Sequence, residues 1–185
     1  GSGLQYTYHN AKNAETFGLE LDVKKKLDFI GLRGLSLVCN AAYIHSRVRF
    51  EDGAPERDRP LAGQSPYLVN AGLFYQHDDK GISASLLYNR IGKRIESVGV
   101  PMQNQNEDIP DIYEMPRNSL DLTFSKKIGK VVEIKAGIQD MLNSKIEYKQ
   151  FVKLTDENGG KREREQLVRS YRPGVDINIG VSLKF

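Results

Sequence analysis

The sequence is poor in the residues that build metal and disulfide sites. Its 185 residues include one cysteine and three histidines, His9, His45 and His77. Cys39 alone excludes a disulfide framework, and no histidine lies at metal-ligand spacing from another histidine or from the cysteine. We therefore predict no metal site. We expect Cys39 to be a structural side chain and the histidines to be girdle or loop residues.

Long hydrophobic runs and tryptophan are also missing. No run of 18 apolar residues occurs, which excludes membrane-spanning helices. A hydrophobic content of 39% with a mean hydropathy of −0.50 fits either a soluble β domain or a membrane barrel, in which only alternate residues face lipid. With no Trp, a barrel would need its 9 Tyr and 7 Phe to form the aromatic girdles.

No sign of charge dominates. The chain has 27 basic and 24 acidic residues, a net charge of +3, and the two signs are interspersed, which argues against nucleic-acid binding. The one basic run, Lys24-Lys25-Lys26, is expected at a strand end on a polar surface. The charged stretches 51–59 and 161–169 are expected to be solvated loops.

Catalytic patterns are absent as well. The sequence contains no glycine-rich phosphate loop of the P-loop or Rossmann type. The acidic pairs Asp78-Asp79 and Asp156-Glu157 sit in turn-like stretches, which explain them better than acid–base chemistry does. We assign no catalytic, cofactor-binding or metal-ligating residue, and predict that the chain is not an enzyme and needs no cofactor.

The dominant positive signal is alternation of apolar and polar residues, which indicates strands with one apolar face. The last segment shows it most clearly, since Val175, Ile177, Ile179, Val181, Leu183 and Phe185 alternate with polar residues or glycine. Eight segments follow the pattern: 4–8, 17–29, 35–43, 67–75, 82–88, 120–124, 132–138 and 175–185. We predict an all-β, antiparallel up-and-down meander of about eight strands.

The connections between these segments alternate in length. Short turns are predicted at 30–34, 77–81 and 126–130, and long polar loops at 47–65, 90–117 and 143–172. Short turns on one side and long loops on the other are typical of an outer-membrane β-barrel, whereas sandwiches have shorter strands. The polar face would suit a barrel lumen or a solvated outer surface, and alternation alone leaves both open.

Several local motifs carry a resemblance to a known family. In order along the chain they are Tyr8-His9-Asn10, Phe17-Gly18-Leu19-Glu20-Leu21, the segment 59–70 leading to Tyr75, Gln139-Asp140-Met141-Leu142-Asn143, Tyr171-Arg172-Pro173-Gly174 and the terminal Phe185. Together they resemble the C-terminal end of TonB-dependent outer-membrane receptors, in the form associated with Bacteroidota. The resemblance covers about residues 4–185.

The resemblance implies an importer of a Gram-negative outer membrane that performs no covalent chemistry. Ligand binds between loops and a plug domain, and TonB relays the energy that remodels the plug. Such receptors close with 22 strands, so a chain of about eight is expected to be a fragment of a larger barrel, with 1–3 a cloning remnant and 4–185 the C-terminal barrel segment. Its implied partners are outer-membrane lipid, the plug domain and remaining strands of the barrel, and the barrel-assembly machinery. That machinery would recognise Phe185 as an assembly signal. TonB would be a partner only through the missing plug.

Two alternatives remain at this stage. One is a complete, small eight-stranded outer-membrane barrel with a structural or adhesive role, because eight strands leave an interior filled by side chains. The other is a soluble β-rich binding domain whose apolar face is its core. If the piece is expressed alone, its two strand edges are expected either to close on each other or to pair with another copy.

Overall fold

The computed structural model describes residues 10–31, 33–54, 56–100, 108–155 and 160–183. The predicted all-β class is confirmed. The described residues form eleven strands and one short 3₁₀ helix, Asp28–Ile30: β1 (Asn13–Lys26), β2 (Leu35–Arg49), β3 (Tyr67–His77), β4 (Ile82–Ile91), β5 (Arg94–Ser97), β6 (Ile112–Glu114), β7 (Arg117–Ile128), β8 (Val132–Gln139), β9 (Ile146–Thr155), β10 (Lys161–Tyr171) and β11 (Asp176–Leu183). Within those ranges, no helix has the length and apolar character needed to cross a membrane.

Seven long strands form the main sheet. Its order is β1-β2-β3-β4-β7-β8-β11, and every neighbouring pair is antiparallel. These strands correspond to seven of the eight segments predicted from alternation, so the predicted meander is confirmed for them. The eighth predicted segment, 4–8, lies outside the described residues, as does Phe185.

Two of the predicted short turns depend on glycines in the left-handed region. Gly34 (φ 79°) precedes β2, and a Cβ there would collide with the carbonyl oxygen of Gln76. Gly81 (φ 59°) closes the turn between β3 and β4, where a Cβ would lie 2.9 Å from the Cβ of Lys127. Side chains other than glycine rarely adopt this backbone conformation, so these positions hold the hairpins in register.

The predicted long loops 90–117 and 143–172 were wrong in part, because both contain strands. They supply a second, four-stranded antiparallel sheet of order β10-β9-β6-β5. This order repeats that of β11-β8-β7-β4 in the main sheet, and each of its strands adjoins the matching long strand along the chain. The second sheet therefore extends the hairpins of the main sheet beyond a short break.

A segment that follows β2 fills the gap beside this extension. Val48 and Arg59 exchange backbone hydrogen bonds of 2.8 and 3.1 Å, and the Gly63 amide donates to the Ile95 carbonyl at 2.8 Å. The segment thus lies between β2 and β5. The buried hydrophobic side chains among the described residues, Val48, Ile95 and Tyr148, all lie at this end of the molecule, and the main sheet has no comparable core.

Candidate functional site

One face of the main sheet is apolar across all seven strands. Residues opposite each other in an antiparallel pair share a face, so the register can be followed from β1 to β11. The apolar side chains of this face are Phe17, Leu19, Leu21 and Val23; Leu35, Leu37, Cys39, Ala41 and Tyr43; Tyr67, Val69, Ala71, Leu73 and Tyr75; Ile82, Ala84, Leu86 and Tyr88; Leu120, Leu122 and Phe124; Val132, Ile134, Ala136 and Ile138; and Ile177, Ile179, Val181 and Leu183. Polar side chains on this face include Lys25 and Lys126 near the turns and Arg90 and Asn118 near the second sheet. Leu19 is 80% exposed and Ile179 is 77% exposed.

Aromatic residues mark both ends of this apolar face. Tyr43 and Tyr67 lie opposite each other near the second sheet. Tyr75 and Phe124 both flank Ala84 near the turns at the other end. Tyr67 and Tyr75 are eight residues apart on β3, a distance of roughly 27 Å at the usual rise of a strand. The apolar face is therefore a band bounded by aromatic side chains.

The single cysteine and the basic run have the positions expected of them. Cys39 lies on the apolar face opposite Val23 and Ala71 and is half-exposed. The lysine run ends β1, with the Lys25 ammonium 5.4 Å from the centre of the Phe29 ring. Neither feature is part of a polar cluster.

The histidines are dispersed. His45 lies on the apolar face, its ring centre 5.0 Å from that of Phe17. The His77 Nδ1 accepts a hydrogen bond from the Lys80 amide at 3.4 Å in the turn after β3. His9 lies outside the described residues. Within the described ranges, no group of three or more His, Cys, Asp or Glu side chains could hold a metal ion.

The opposite face of the main sheet carries a ladder of hydrogen-bonded amides. The Asn40 Nδ2 donates to both Glu20 Oε1 and Asp22 Oδ1 at 2.7 Å. The Asn70 Nδ2 donates to Asn40 Oδ1 at 3.4 Å, and the Asn89 Nδ2 donates to Asn70 Oδ1 at 2.6 Å. Four neighbouring strands thus share one polar network. It borders a shallow cavity of about 270 Å³, which Val38, Phe74 and Leu87 also line.

Two of the sequence motifs meet where the two sheets join. Asp140 and Asn143 adopt positive φ angles of 51° and 43° in the turn after β8. The Asn143 Oδ1 accepts a hydrogen bond from the Gly174 amide at 3.1 Å, and the Asn143 carbonyl accepts one from Arg172. Asp140 also pairs with Arg117. The motif residues therefore form a single junction that sets how β9 and β10 leave the main sheet.

A pocket of about 360 Å³ opens on the second sheet, between residues 56–60, residues 93 and 98 that flank β5, and strands β6, β9 and β10. The Lys93 ammonium lies 4.6 Å from the ring centres of both Tyr113 and Phe151. At the rim, Arg57 pairs with Asp108 at 2.6 Å. The volume lies within the range of small-molecule sites, and its lining mixes aromatic with charged side chains.

Two groups that line this pocket have shifted pKa values. Burial raises the pKa of the Tyr113 phenol, and the Asp111 carboxylate raises it further, so the phenol remains a hydrogen-bond donor at neutral pH. Hydrogen bonds from Arg47 and from the Phe50 amide lower the pKa of Asp58. Asp58 is therefore ionised at neutral pH and ties the segment 56–60 to β2.

The sequence patterns missed this pocket. Tyr113 and Phe151 are 38 positions apart, in two stretches that were assigned to loops.

A scan against protein-family models, a search of curated proteins and a search of solved structures each found no match to the chain.

Proposed function

We propose that the chain forms part of the wall of an outer-membrane β-barrel, in a TonB-dependent receptor that imports a ligand. The observation that carries the proposal is the apolar face of the main sheet, which spans seven strands and which no described element covers. At the usual strand spacing and rise, it measures roughly 29 by 27 Å, or about 800 Å². Soluble monomers rarely expose apolar patches larger than a few hundred Å², whereas a lipid-facing wall needs one.

Three further features support a lipid-facing wall. Aromatic side chains at both ends of the apolar band fit the girdles of a membrane barrel. The roughly 27 Å between Tyr67 and Tyr75 along the strand becomes roughly 19–22 Å along the membrane normal at the usual tilt, comparable with the height of about 25 Å typical of such bands. The amide ladder around Asn40 and Asn70 gives the opposite face the polarity of a lumen. Lys25 lies at the turn end, where its ammonium can reach an interface.

The receptor role within this proposal rests on the motif resemblance and on the pocket. Asn143 of one resembling motif accepts hydrogen bonds from Arg172 and Gly174 of another, so these two motifs form one junction rather than two separate coincidences. The second sheet would extend outside the cell, and its pocket beside Lys93 and Tyr113 would contribute to ligand capture. Import would require the plug domain and the remaining strands, with no covalent chemistry at this chain.

The membrane part of the proposal can be tested with two single-tryptophan variants. The chain has no tryptophan, so Leu86→Trp and Leu87→Trp each place one indole on opposite faces of β4. The protein is reconstituted into bilayers with and without brominated phospholipid, and indole fluorescence is measured. We expect strong quenching in Leu86→Trp and weak quenching in Leu87→Trp. Equal quenching, or none in either variant, would contradict a lipid-facing wall.

Fractionation of the native cell separates the receptor from its alternatives. An antibody against a peptide of this chain is used to blot the outer-membrane fraction. A band far above 20.9 kDa in that fraction is the result we expect of a receptor. A band near 20.9 kDa in the membrane would replace the receptor by a complete small barrel, and a signal confined to the soluble fraction would exclude the membrane role.

A further inference from the structure

Strand β10 separates its charges by face. Arg162 and Arg164 lie opposite Leu154 and Val152 of β9. Beyond a bulge between Leu167 and Arg169, the register places Arg169 opposite Tyr148, on that same face. Three guanidinium groups therefore share one face of the second sheet; we call Arg162, Arg164 and Arg169 the arginine row.

The opposite face of β10 carries its acidic residues. Glu163 lies opposite Lys153, and Glu165 lies opposite Phe151. The Glu165 carboxylate pairs with the Lys149 ammonium at 2.6 Å. On the pocket side of this hairpin, positive and negative charges therefore neutralise each other. The arginine row lies on the other face and takes no part in these pairs.

The arginine row has no counter-ion within the described part of the chain. Arg169 lies over the rings of Tyr148 and Tyr171, at 4.1 and 5.8 Å from their centres, and makes no ion pair with a described residue. The same holds for Arg162 and Arg164. Glu114 lies opposite Tyr148 on this face, but Arg94 already donates two hydrogen bonds to it, at 2.9 and 2.7 Å.

The face that carries the row continues the apolar face of the main sheet. Arg90 lies on the apolar face of β4, and Arg94 follows four residues later on β5. Asn118 lies on the apolar face of β7, and Glu114 precedes it by four residues on β6. The Gly92 amide donates to the Tyr67 carbonyl and the Met115 amide to the Glu147 carbonyl, so strand pairing continues into both connections. Residues an even number apart in extended chain share a side, which places Arg94 and Glu114, and with them the arginine row, on that side.

We infer that the arginine row binds the phosphate groups of a phosphorylated glycolipid in the membrane leaflet that the second sheet adjoins. The inference rests on the proposed function, which places the apolar face in lipid. Guanidinium groups bind phosphate oxygens through paired N–H donors and remain charged at all physiological pH values. Three such groups, which make no ion pair with a described residue and lie directly beyond a lipid-facing band, are complementary to a layer of phosphates.

The length of the arginine row selects a glycolipid over an ordinary phospholipid. Arg162 and Arg169 are seven residues apart, roughly 23 Å along a strand. Even at a tilt of about 45°, the row spans roughly 16 Å along the membrane normal. A phospholipid headgroup layer is only about 5–8 Å thick, so it would reach one arginine. A phosphorylated glycan headgroup projects further from the membrane and can reach all three.

The test measures glycolipid affinity in two variants with the same charge change. Arg162→Gln/Arg164→Gln removes two positive charges from the arginine row, and Lys24→Gln/Lys26→Gln removes two from the polar face of β1, away from the row. Binding of purified lipopolysaccharide to the protein in a neutral detergent is titrated. At the usual contribution of a basic residue near an anionic surface, the arginine variant should bind roughly 30-fold more weakly. The lysine variant should bind as the unmodified protein does, and dephosphorylated glycolipid should bind neither variant nor the unmodified protein.

Other outcomes would overturn the inference. An equal loss in both variants would mean that net charge, rather than the arginine row, governs binding. Affinity for phosphatidylglycerol micelles equal to that for lipopolysaccharide would exclude the glycolipid. No binding at all, together with strong quenching in Leu86→Trp, would reject the arginine row and leave the proposed wall intact, whereas absent quenching would reject the wall itself.

Discussion

At the residue scale, the two leucines in the middle of β4 differ only in the face they occupy. Leu86 is 36% exposed and lies opposite Leu73 and Leu122 on the apolar face. Leu87 is 38% exposed and lies opposite Gly72 and Asp121 on the polar face. Since their chemistry and exposure match, any difference in their response to substitution reports on the medium that each face contacts.

We expect Leu86→Arg to destabilise the protein in a bilayer by about 2–4 kcal/mol, the usual cost of a cation at mid-depth on a lipid-facing strand. Leu87→Arg should cost about 1 kcal/mol or less, because its guanidinium would lie on the polar face opposite Asp121 rather than in lipid. Urea unfolding in lipid vesicles measures both values. If both substitutions lower the free energy of unfolding by the same amount, the two faces contact the same solvent and the proposed wall is wrong.

At the element scale, the second sheet depends on contacts between very short strands. β5 has four residues and β6 has three, so few backbone hydrogen bonds join them. Ile95 of β5 is 2% exposed, and Arg94 donates two hydrogen bonds to Glu114 of β6. Burial and this charged pair, rather than strand length, hold the hairpin that forms one wall of the pocket.

A double-mutant cycle on Arg94→Gln and Glu114→Gln should give a coupling free energy of about 1–2 kcal/mol, since the Glu114 side chain is only 14% exposed and the pair is held by two charge-assisted hydrogen bonds. Hydrogen exchange of the β6 amides measures it. The matched control is the exposed pair Lys12–Glu51, at 53% and 69% exposure, for which about 0.5 kcal/mol is expected. Equal coupling in both pairs would show that the second sheet does not depend on Arg94.

At the scale of the whole molecule, the direction of the edge strands limits how the main sheet can close. Six antiparallel steps separate β1 from β11, so both run in the same direction. Pairing these two strands directly would make a parallel contact, and an all-antiparallel closed wall needs an odd number of added strands. Every residue of β1 and every described side chain of β11 is exposed, so both edges are available for pairing.

We expect the isolated chain to associate through these edges in detergent, because unpaired strand edges act as templates for another chain. Size exclusion with light scattering over a range of concentrations should show dimers or larger species, and hydrogen exchange should show protected amides in β1 and β11. A monomer with protected edges would instead indicate closure by added strands, such as the one predicted within 4–8. A monomer with rapidly exchanging edges would contradict the expectation.

The strands that the sequence predicted correctly share one property. In segments such as 82–88 and 132–138, apolar and polar residues alternate, and burying or exposing one face decides the local structure. In β10, from Arg162 to Glu165, arginine alternates with glutamate. Both residues are polar, so a search for alternating hydrophobicity does not detect this strand. The candidate pocket was missed because β6, β9 and β10, which line it, lie in stretches that were assigned to loops.

The sequence by itself determined the strands of the main sheet, their two faces and the turns that need glycine, because these depend on side chains two to five positions apart. Only the tertiary structure brought Lys93 between Tyr113 and Phe151, joined Asn143 to Arg172 and Gly174, and ordered the second sheet beside the first. Those contacts join residues 20 to 58 positions apart, and they form only when hairpin pairing has already overcome the entropy of closing the loops between them.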